Sequence, residues 1–239
     1  LPSEWKLIRI DKLCDVVRGG SPRPAGDLKF YDGEIPFLKV ADLTRNTGVY
    51  LYSHSYTIKE AGLKKTRLVN SNTLLLSNSG ATLGVPKICS FSTTFNDGIA
   101  AFIGLDEDAL LYHYYFWLTK TKELRGVNQG AAQPNLNTTI IGAIEIPIGS
   151  KDDIKKTVQE IETRLSVCDN METTIMESLE KANVLRQSIL KKAFEGSLLS
   201  EAELEETRRA PDWEPAGKLL ERIRSEKMNG RNRHQLTYP

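Results

Sequence analysis

From Asp152 to Phe194 the chain runs 43 residues without a glycine or a proline. Apolar side chains recur through this stretch at alternating steps of three and four. One row is Ile154, Ile161, Cys168, Ile175, Ala182 and Ile189; the other is Val158, Leu165, Glu172, Leu179, Arg186 and Ala193. Ten of these twelve positions are apolar or small, which is the pattern of a coiled-coil seam. The pattern predicts one continuous helix roughly 65 Å long at 1.5 Å per residue. Propensity alone does not hold such a helix in water, so its seam calls for a partner helix. This chain has one such segment, so the partner lies outside it. Glu172 and Arg186 interrupt the seam; they either set its register or lie at its edge.

The rest of the chain has a different texture. Before Ser150, short apolar runs ("IPFLKV", "NTLLLS", "KICSF", "GIAAFIGL", "AIEIPI") alternate with Gly, Pro, Asn and Asp, as strands and turns do. "DALLYHYYFWLTKTKEL", Asp108 to Leu124, has helical length and period. The expected fold class is therefore α+β, with a globular domain at 1–150, a long helix at 151–196 and a C-terminal extension at 197–239. Gly196 is placed to end the long helix. In the extension, "AGKLLERIRSEK" reads as a short amphipathic helix and "NGRNRHQLTYP" as a disordered tail.

Charge excludes little. The chain carries 32 basic and 31 acidic residues, but residues 1–67 hold 12 against 8, a local bias compatible with a phosphate-facing surface. Cys14, Cys89 and Cys168 are scattered and odd in number, which points to a reducing cytosol and away from a disulfide or zinc scaffold. No run approaches the ~20 apolar residues of a membrane span, and no signal peptide opens the chain, so a cytoplasmic protein is expected. The chain starts without Met, as a fragment or a processed chain would.

Catalytic motifs are missing. "GATLGVPK" has the wrong spacing for a phosphate-binding loop, and there is neither a GxSxG elbow nor an HExxH helix. His54, His113 and His234 lack neighbours at metal-ligand spacing, and His113 in "YHYYFW" reads as a packing residue. "PDWEP" holds Asp212 and Glu214, a faint echo of a metal-nuclease carboxylate pair without its following lysine. A binding module with no catalytic residue and no metal is expected.

Four segments carry candidate contacts. "NQGAAQPNLNTT" (Asn128 to Thr139) is rich in amides, which offer a donor and an acceptor together, as base edges require. Its Gln129, Gln133, Asn135 and Asn137 carry those amides, and closing turns before the last strand is the alternative use for them. "VRGGSPRP" sets Arg18, Ser21 and Arg23 around a Gly-Gly turn, suited to phosphate or to a plain charged surface loop. "SNSGATLG" presents Ser79 and Thr82, and "KEAGLKKTRL" presents Lys64, Lys65 and Arg67; a turn and a solvated face are the respective alternatives.

In order along the chain, "LPSEWKLIRIDKLCDVVRGGSPRP", "YDGEIPFLKVADLT", "SNSGATLGVPKI", "FNDGIAAF", "GAAQPNLNTT" and "IEIPI" resemble the target-recognition domain of a type I restriction–modification specificity subunit. "VLRQSILKKAFEGSLL" is similar to the helical spacer that follows such a domain, and "EPAGKLLERIRSEK" to its C-terminal extension. The usual "PPLxEQ" entry to the spacer is here "IPIGSKDDIKK", which lacks the Glu-Gln pair and leaves the contacts there open.

The resemblance implies a non-catalytic subunit that reads double-stranded DNA. Full-length members carry two recognition domains and two spacer helices paired antiparallel. The helices dock methyltransferase (modification) subunits, and restriction subunits join them. S-adenosylmethionine, ATP and Mg are then expected on those partners, with no cofactor here. This chain, with one domain and one helix, corresponds to half of such a subunit. Its Ile161, Leu165, Ile175, Leu179 and Ile189 stripe predicts a self-dimer. A metal-dependent nuclease and a coiled-coil adaptor that binds protein are the rival readings.

Overall fold

The computed structural model describes residues 2–80, 82–127 and 136–235. Two compact units follow one another, Leu1–Ser166 and Val167–Pro239. In the first unit, β1 (Lys6–Arg9) and β2 (Asp15–Arg18) precede the long strand β3 (Tyr31–Leu38), and α1 (Val40–Arg45) follows it. Then come β4 (Tyr50–Leu51), β5 (Tyr56–Ile58), α2 (Glu60–Leu63), β6 (Arg67–Val69), β7 (Thr73–Ser77), β8 (Pro86–Cys89), β9 (Thr93–Phe95) and β10 (Ile99–Ile103). Helix α3 (Leu110–Val127), the short α4 (Thr138–Ala143), β11 (Glu145–Ile148) and α5 (Lys151–Phe194) complete the path into the second unit. The α+β class read from the sequence is what the structure has.

The strands form three sheets, ordered β2-β10-β7-β8-β4, β5-β3-β9-β6 and β1-β11. In the run "TLLLS" three leucines follow one another because β7 is covered on both faces. Leu74 and Leu76 join a core with Phe102, Ile88 and Trp117, whereas Leu75 joins Ala101, Ile99, Phe95 and Leu38. The five-stranded sheet therefore packs α3 on one face and the four-stranded sheet on the other. Trp117 is fully buried with its ring 5.2 Å from that of Phe102. Strands β1 and β11 pair antiparallel from Lys6–Ile148 to Arg9–Glu145, zipping the start of the domain to its end.

Helix α5 enters through a reciprocal cap. Ser150 Oγ accepts from the Asp153 N–H at 3.2 Å, and the Asp153 carboxylate accepts from the Ser150 hydroxyl at 2.6 Å. Lys151 Nζ, 2.7 Å from Asp106, ties the helix start to the turn before α3 and holds that exposed carboxyl below its usual range. Ile154 and Val158 are buried in the α3 core, so the first turns of α5 belong to the globular unit rather than to a separate rod beginning at 151. The helix ends at Phe194, where Gly196 adopts φ +71° and the Ser197 N–H donates to the Lys192 carbonyl.

The extension is more helical than its sequence suggests. Ser200 and Glu203 form a capping box that starts α6 (Glu201–Arg208) within the acidic stretch. Helix α7 (Ala216–Gln235) continues past Lys227 into the segment expected to be disordered, since no proline interrupts it there. Among the described residues no helix is long and apolar enough to cross a membrane.

His113 is buried on α3 with Nδ1 unpartnered among the described residues, and burial pushes its pKa down to about 4. A depressed folded-state pKa means that the unfolded chain binds the proton more readily. The corresponding stability is present above pH 6.5 and is lost as pH falls toward 4. A shift of this size corresponds to about 3 kcal/mol. The stability difference between the wild type and His113→Leu, from urea melts, should therefore shift by about that amount in favour of the variant between pH 7.5 and 4.5. A difference that stays flat with pH would show that His113 does not titrate in the fold.

Candidate nucleic-acid interface

The turn Asn96–Gly98 joins β9, in the four-stranded sheet, to β10, in the five-stranded one. Segments far apart in sequence meet on it. Arg18, at the end of β2, donates its Nε–H to the Asp97 carbonyl at 2.6 Å, and Arg67 donates its own to the Arg18 carbonyl at 2.9 Å. The Ser21 hydroxyl donates to the Asp97 carboxylate at 2.7 Å. Gly19 and Gly20 donate backbone N–H groups to Ile99 and Phe95, each at 3.0 Å. Close approach dictates both glycines: a Cβ would lie 2.3 Å from the Asn96 carbonyl oxygen at Gly19, and 2.3 Å from that of Lys65 at Gly20.

Arg18, Lys64, Lys65 and Arg67 are thus brought together from two separate segments. Arg23 is exposed, and its charge reaches the Tyr31 hydroxyl, as does that of Asp97. Burial is the main reason that hydroxyl's pKa is raised. Among the described residues none of these five exposed cations is in an ion pair. Cations gathered without carboxylate partners are what a polyanion neutralises. Ser21 is different, because its proton points at a carboxylate rather than outward.

The second turn, Ser77–Gly84, docks on the same place. The Asn78 N–H donates to the Gly98 carbonyl at 2.9 Å, and a Cβ at Gly98 would sit 2.8 Å from Ser79 Oγ. Thr82 is exposed, and its carbonyl accepts from the Ser77 hydroxyl at 2.7 Å. The Asn78 side chain is fully buried, and neither end of its amide has a hydrogen-bond partner among the described residues. The Asn78 carbonyl accepts from the Leu136 N–H at 2.8 Å, bringing the end of the amide-rich loop to this turn.

Asn137 caps α4, its Oδ1 accepting from the Ile140 N–H at 2.8 Å, which favours fold closure at that residue. Gln129, Gly130, Gln133 and Asn135 lie outside the described residues. The sequence reading missed Asp97 and Asn78 as organising residues. The signal available was the "FNDG" turn, whose Asn-Asp-Gly composition marks a tight reversal.

Elsewhere, Glu214 is held by Arg222 at 2.7 Å, and no group of three or more His, Cys, Asp or Glu among the described residues is placed to hold a metal. On α5, Leu165, Ile175, Leu179 and Ile189 are exposed by 43–62%, and Ile161 is partly buried. Met171, Leu185 and Phe194 are exposed beside them, so the apolar surface is broader than one stripe.

Residues 2–184 match the family described as the type I restriction modification DNA specificity domain. The MjaIX type I restriction enzyme specificity subunit of Methanocaldococcus jannaschii is 27% identical over 198 residues, covering 81% of this chain and 44% of that protein. The EcoBI specificity subunit of Escherichia coli is 26% identical, covering 95% and 49%. Among solved structures, the HsdS subunit from Thermoanaerobacter tengcongensis aligns with a TM-score of 0.58 at 20% identity, over 83% of this chain and 46% of that one. A chain from a study of type I R-M complex assembly and conformational transition aligns at 0.63 and 20%, over 83% and 47%. The chain spans about half the length of the curated relatives it matches. A family match over most of the length, on a fold shared with solved specificity subunits, places this chain in the type I restriction–modification DNA specificity family.

Proposed function

We propose that this chain recognises double-stranded DNA within a type I restriction–modification system and reads one half of a bipartite site. The observation that carries the reading is that Arg18 bonds to the Asn96–Gly98 turn, that Lys64, Lys65 and Arg67 are brought beside it, and that none of the four is in an ion pair among the described residues, in a domain of a DNA specificity family. Backbone phosphates are met by these cations, which fix position and orientation; sequence is read by the adjoining loops. The chain performs no chemistry itself. Methyltransferase and restriction subunits, which supply S-adenosylmethionine, ATP and Mg chemistry, assemble around it in the cytoplasm, with α5 as the scaffold for the methyltransferase.

Helix α5 also pairs with a second copy. Burying each of its exposed Leu and Ile side chains is worth about 1.5–3 kcal/mol, and several such burials offset the association cost. A twofold antiparallel pair of this helix buries both seams at once. Identical domains about a twofold then call for an interrupted palindrome.

Replacing Arg18 and Arg23 together by Ala should weaken binding to a mixed-sequence duplex. The slope of log affinity against log salt should become shallower by roughly one per lost phosphate contact. Unchanged slope and affinity in a folded variant would remove that loop from the duplex. A salt-insensitive wild type would favour the protein-binding adaptor instead. Asp212→Ala with Glu214→Ala should leave methylation and restriction by a reconstituted complex intact, and loss of cleavage alone would revive the nuclease reading. Light scattering at micromolar concentration should report a dimer that Leu165→Asp with Leu179→Asp dissociates while circular dichroism stays helical. A wild-type monomer with an intact helix would assign the seam to another subunit.

A further inference from the structure

The end of the four-stranded sheet that carries the cations also carries a segment of a different kind. Phe37 pairs with Tyr56, Leu38 with Phe95, and Phe95 with Arg67. The start of β5, the end of β3, the Asn96–Gly98 turn and the start of β6 therefore stand side by side. Three strand spacings, roughly 14 Å, separate Tyr56 from Arg67 across that end. The start of α1 joins them. A Cβ at Gly98 would meet Val40 at 2.5 Å, and Lys39 Nζ stands 3.3 Å from the centre of the Tyr56 ring.

The five residues from Tyr52 to Tyr56, "YSHSY", are all exposed, Tyr52 by 75% and Tyr56 by 45%, and none of them is Asp, Glu, Lys or Arg. Their backbone is tied to α1 through Asp42. One of its carboxylate oxygens accepts from the Ser55 N–H at 3.1 Å and from the Ser55 hydroxyl, and the other accepts from the Lys39 N–H at 2.7 Å. His54 is held from two sides, by the Phe91 ring 5.7 Å away and by the Tyr56 carbonyl 3.0 Å from its Nδ1. A carbonyl only accepts, so Nδ1 carries the proton and the neutral ring presents Nε2 as an acceptor. That nitrogen and the hydroxyls of Tyr52, Ser53 and Tyr56 have no hydrogen-bond partner among the described residues.

Cations bind phosphate in any sequence, whereas telling bases apart takes donors and acceptors held in fixed directions. The Ser77–Gly84 turn offers fewer of them, because its Ser77 hydroxyl is taken up by the Thr82 carbonyl and its Asn78 amide is buried. A major groove is about 12 Å wide, so phosphates on Arg18 and Arg67 leave the Tyr52–Tyr56 segment over the groove beside them.

We propose that Tyr52–Tyr56 is a sequence-reading element of this domain. His54 Nε2 accepts from the exocyclic amino group of a base in the major groove, adenine N6 or cytosine N4, and the three free hydroxyls meet the neighbouring base edges. This rests on the DNA-recognition reading above and names residues that set the sequence.

The test is the sequence preference of the chain assembled with its modification partner, read by sequencing the duplexes it retains from a randomised library. The salt slope on a mixed-sequence duplex is measured beside it. His54→Ala, and Tyr52→Phe with Tyr56→Phe, should each relax the preference at one or two adjacent base pairs by roughly tenfold, with the other positions and the salt slope unchanged. His54→Phe, which keeps a ring against Phe91 but has no acceptor, should relax the same position. Lys64→Ala with Lys65→Ala should do the reverse, making the slope shallower while the preference is kept. If the wild type binds with a preference and a salt slope, but the His54 and Tyr variants keep that preference at every position, the reading element is overturned while DNA recognition stands. Loss of the modification partner by those variants, with the preference kept, would make the segment a protein contact. A wild-type complex with no preference and no salt dependence overturns both readings.

Discussion

The short connection between β9 and β10 is the constraint on which the rest of the globular unit depends. It carries the chain from the four-stranded to the five-stranded sheet, and its backbone groups are claimed from three directions. The loop after β2 bonds to Phe95, Asp97 and Ile99, the turn after β7 bonds to Gly98, and Asn96 donates to Leu38. Each of these bonds joins segments distant in sequence, so each closes a large loop and forms only once both sheets are packed. The same bonds place the cationic side chains. Surface chemistry here is a direct consequence of how the two sheets are joined.

A second constraint is that α5 outgrows its own domain. Its first turns are covered by the core through Ile154 and Val158, while the turns beyond leave large aliphatic side chains in water. Monomeric proteins seldom leave a contiguous stripe of that kind uncovered. The two surfaces suit partners of different chemistry: a polyanion at the turn cluster and an apolar helix along α5. Those are the two attachments that a recognition subunit held in a larger assembly requires.

How much of this was legible in the sequence depended on the length over which a pattern persisted. The long helix and its glycine stop were readable because six heptads repeat one spacing. The "TLLLS" and "GIAAFIGL" strands were readable from their apolar runs. Strands such as β4, with two residues, or β9, with Thr93 and Thr94 buried, were not. Their side chains do not announce a strand, and neighbours sustain them, as when Thr94 donates its hydroxyl to the Pro36 carbonyl at 2.7 Å. The Ser200–Glu203 capping box is legible in principle, with Ser three residues before Glu, but the acidic composition around it masks the signal. The basic bias of residues 1–67 was visible, but its focus was not, since Arg18 reaches Asp97 across 79 positions. Local composition carries no trace of such a contact.

The central claim is that two identical recognition domains, related by a twofold through α5, read DNA together. The most direct measurement is single-molecule mapping of methylated bases in host DNA with and without this chain, its modification partner being present in both. The account predicts methylation, dependent on this chain, at inverted repeats separated by a spacer of fixed length and arbitrary sequence. Methylation dependent on this chain at bipartite sites whose two halves are unrelated would contradict it, because a different domain would then be reading the second half.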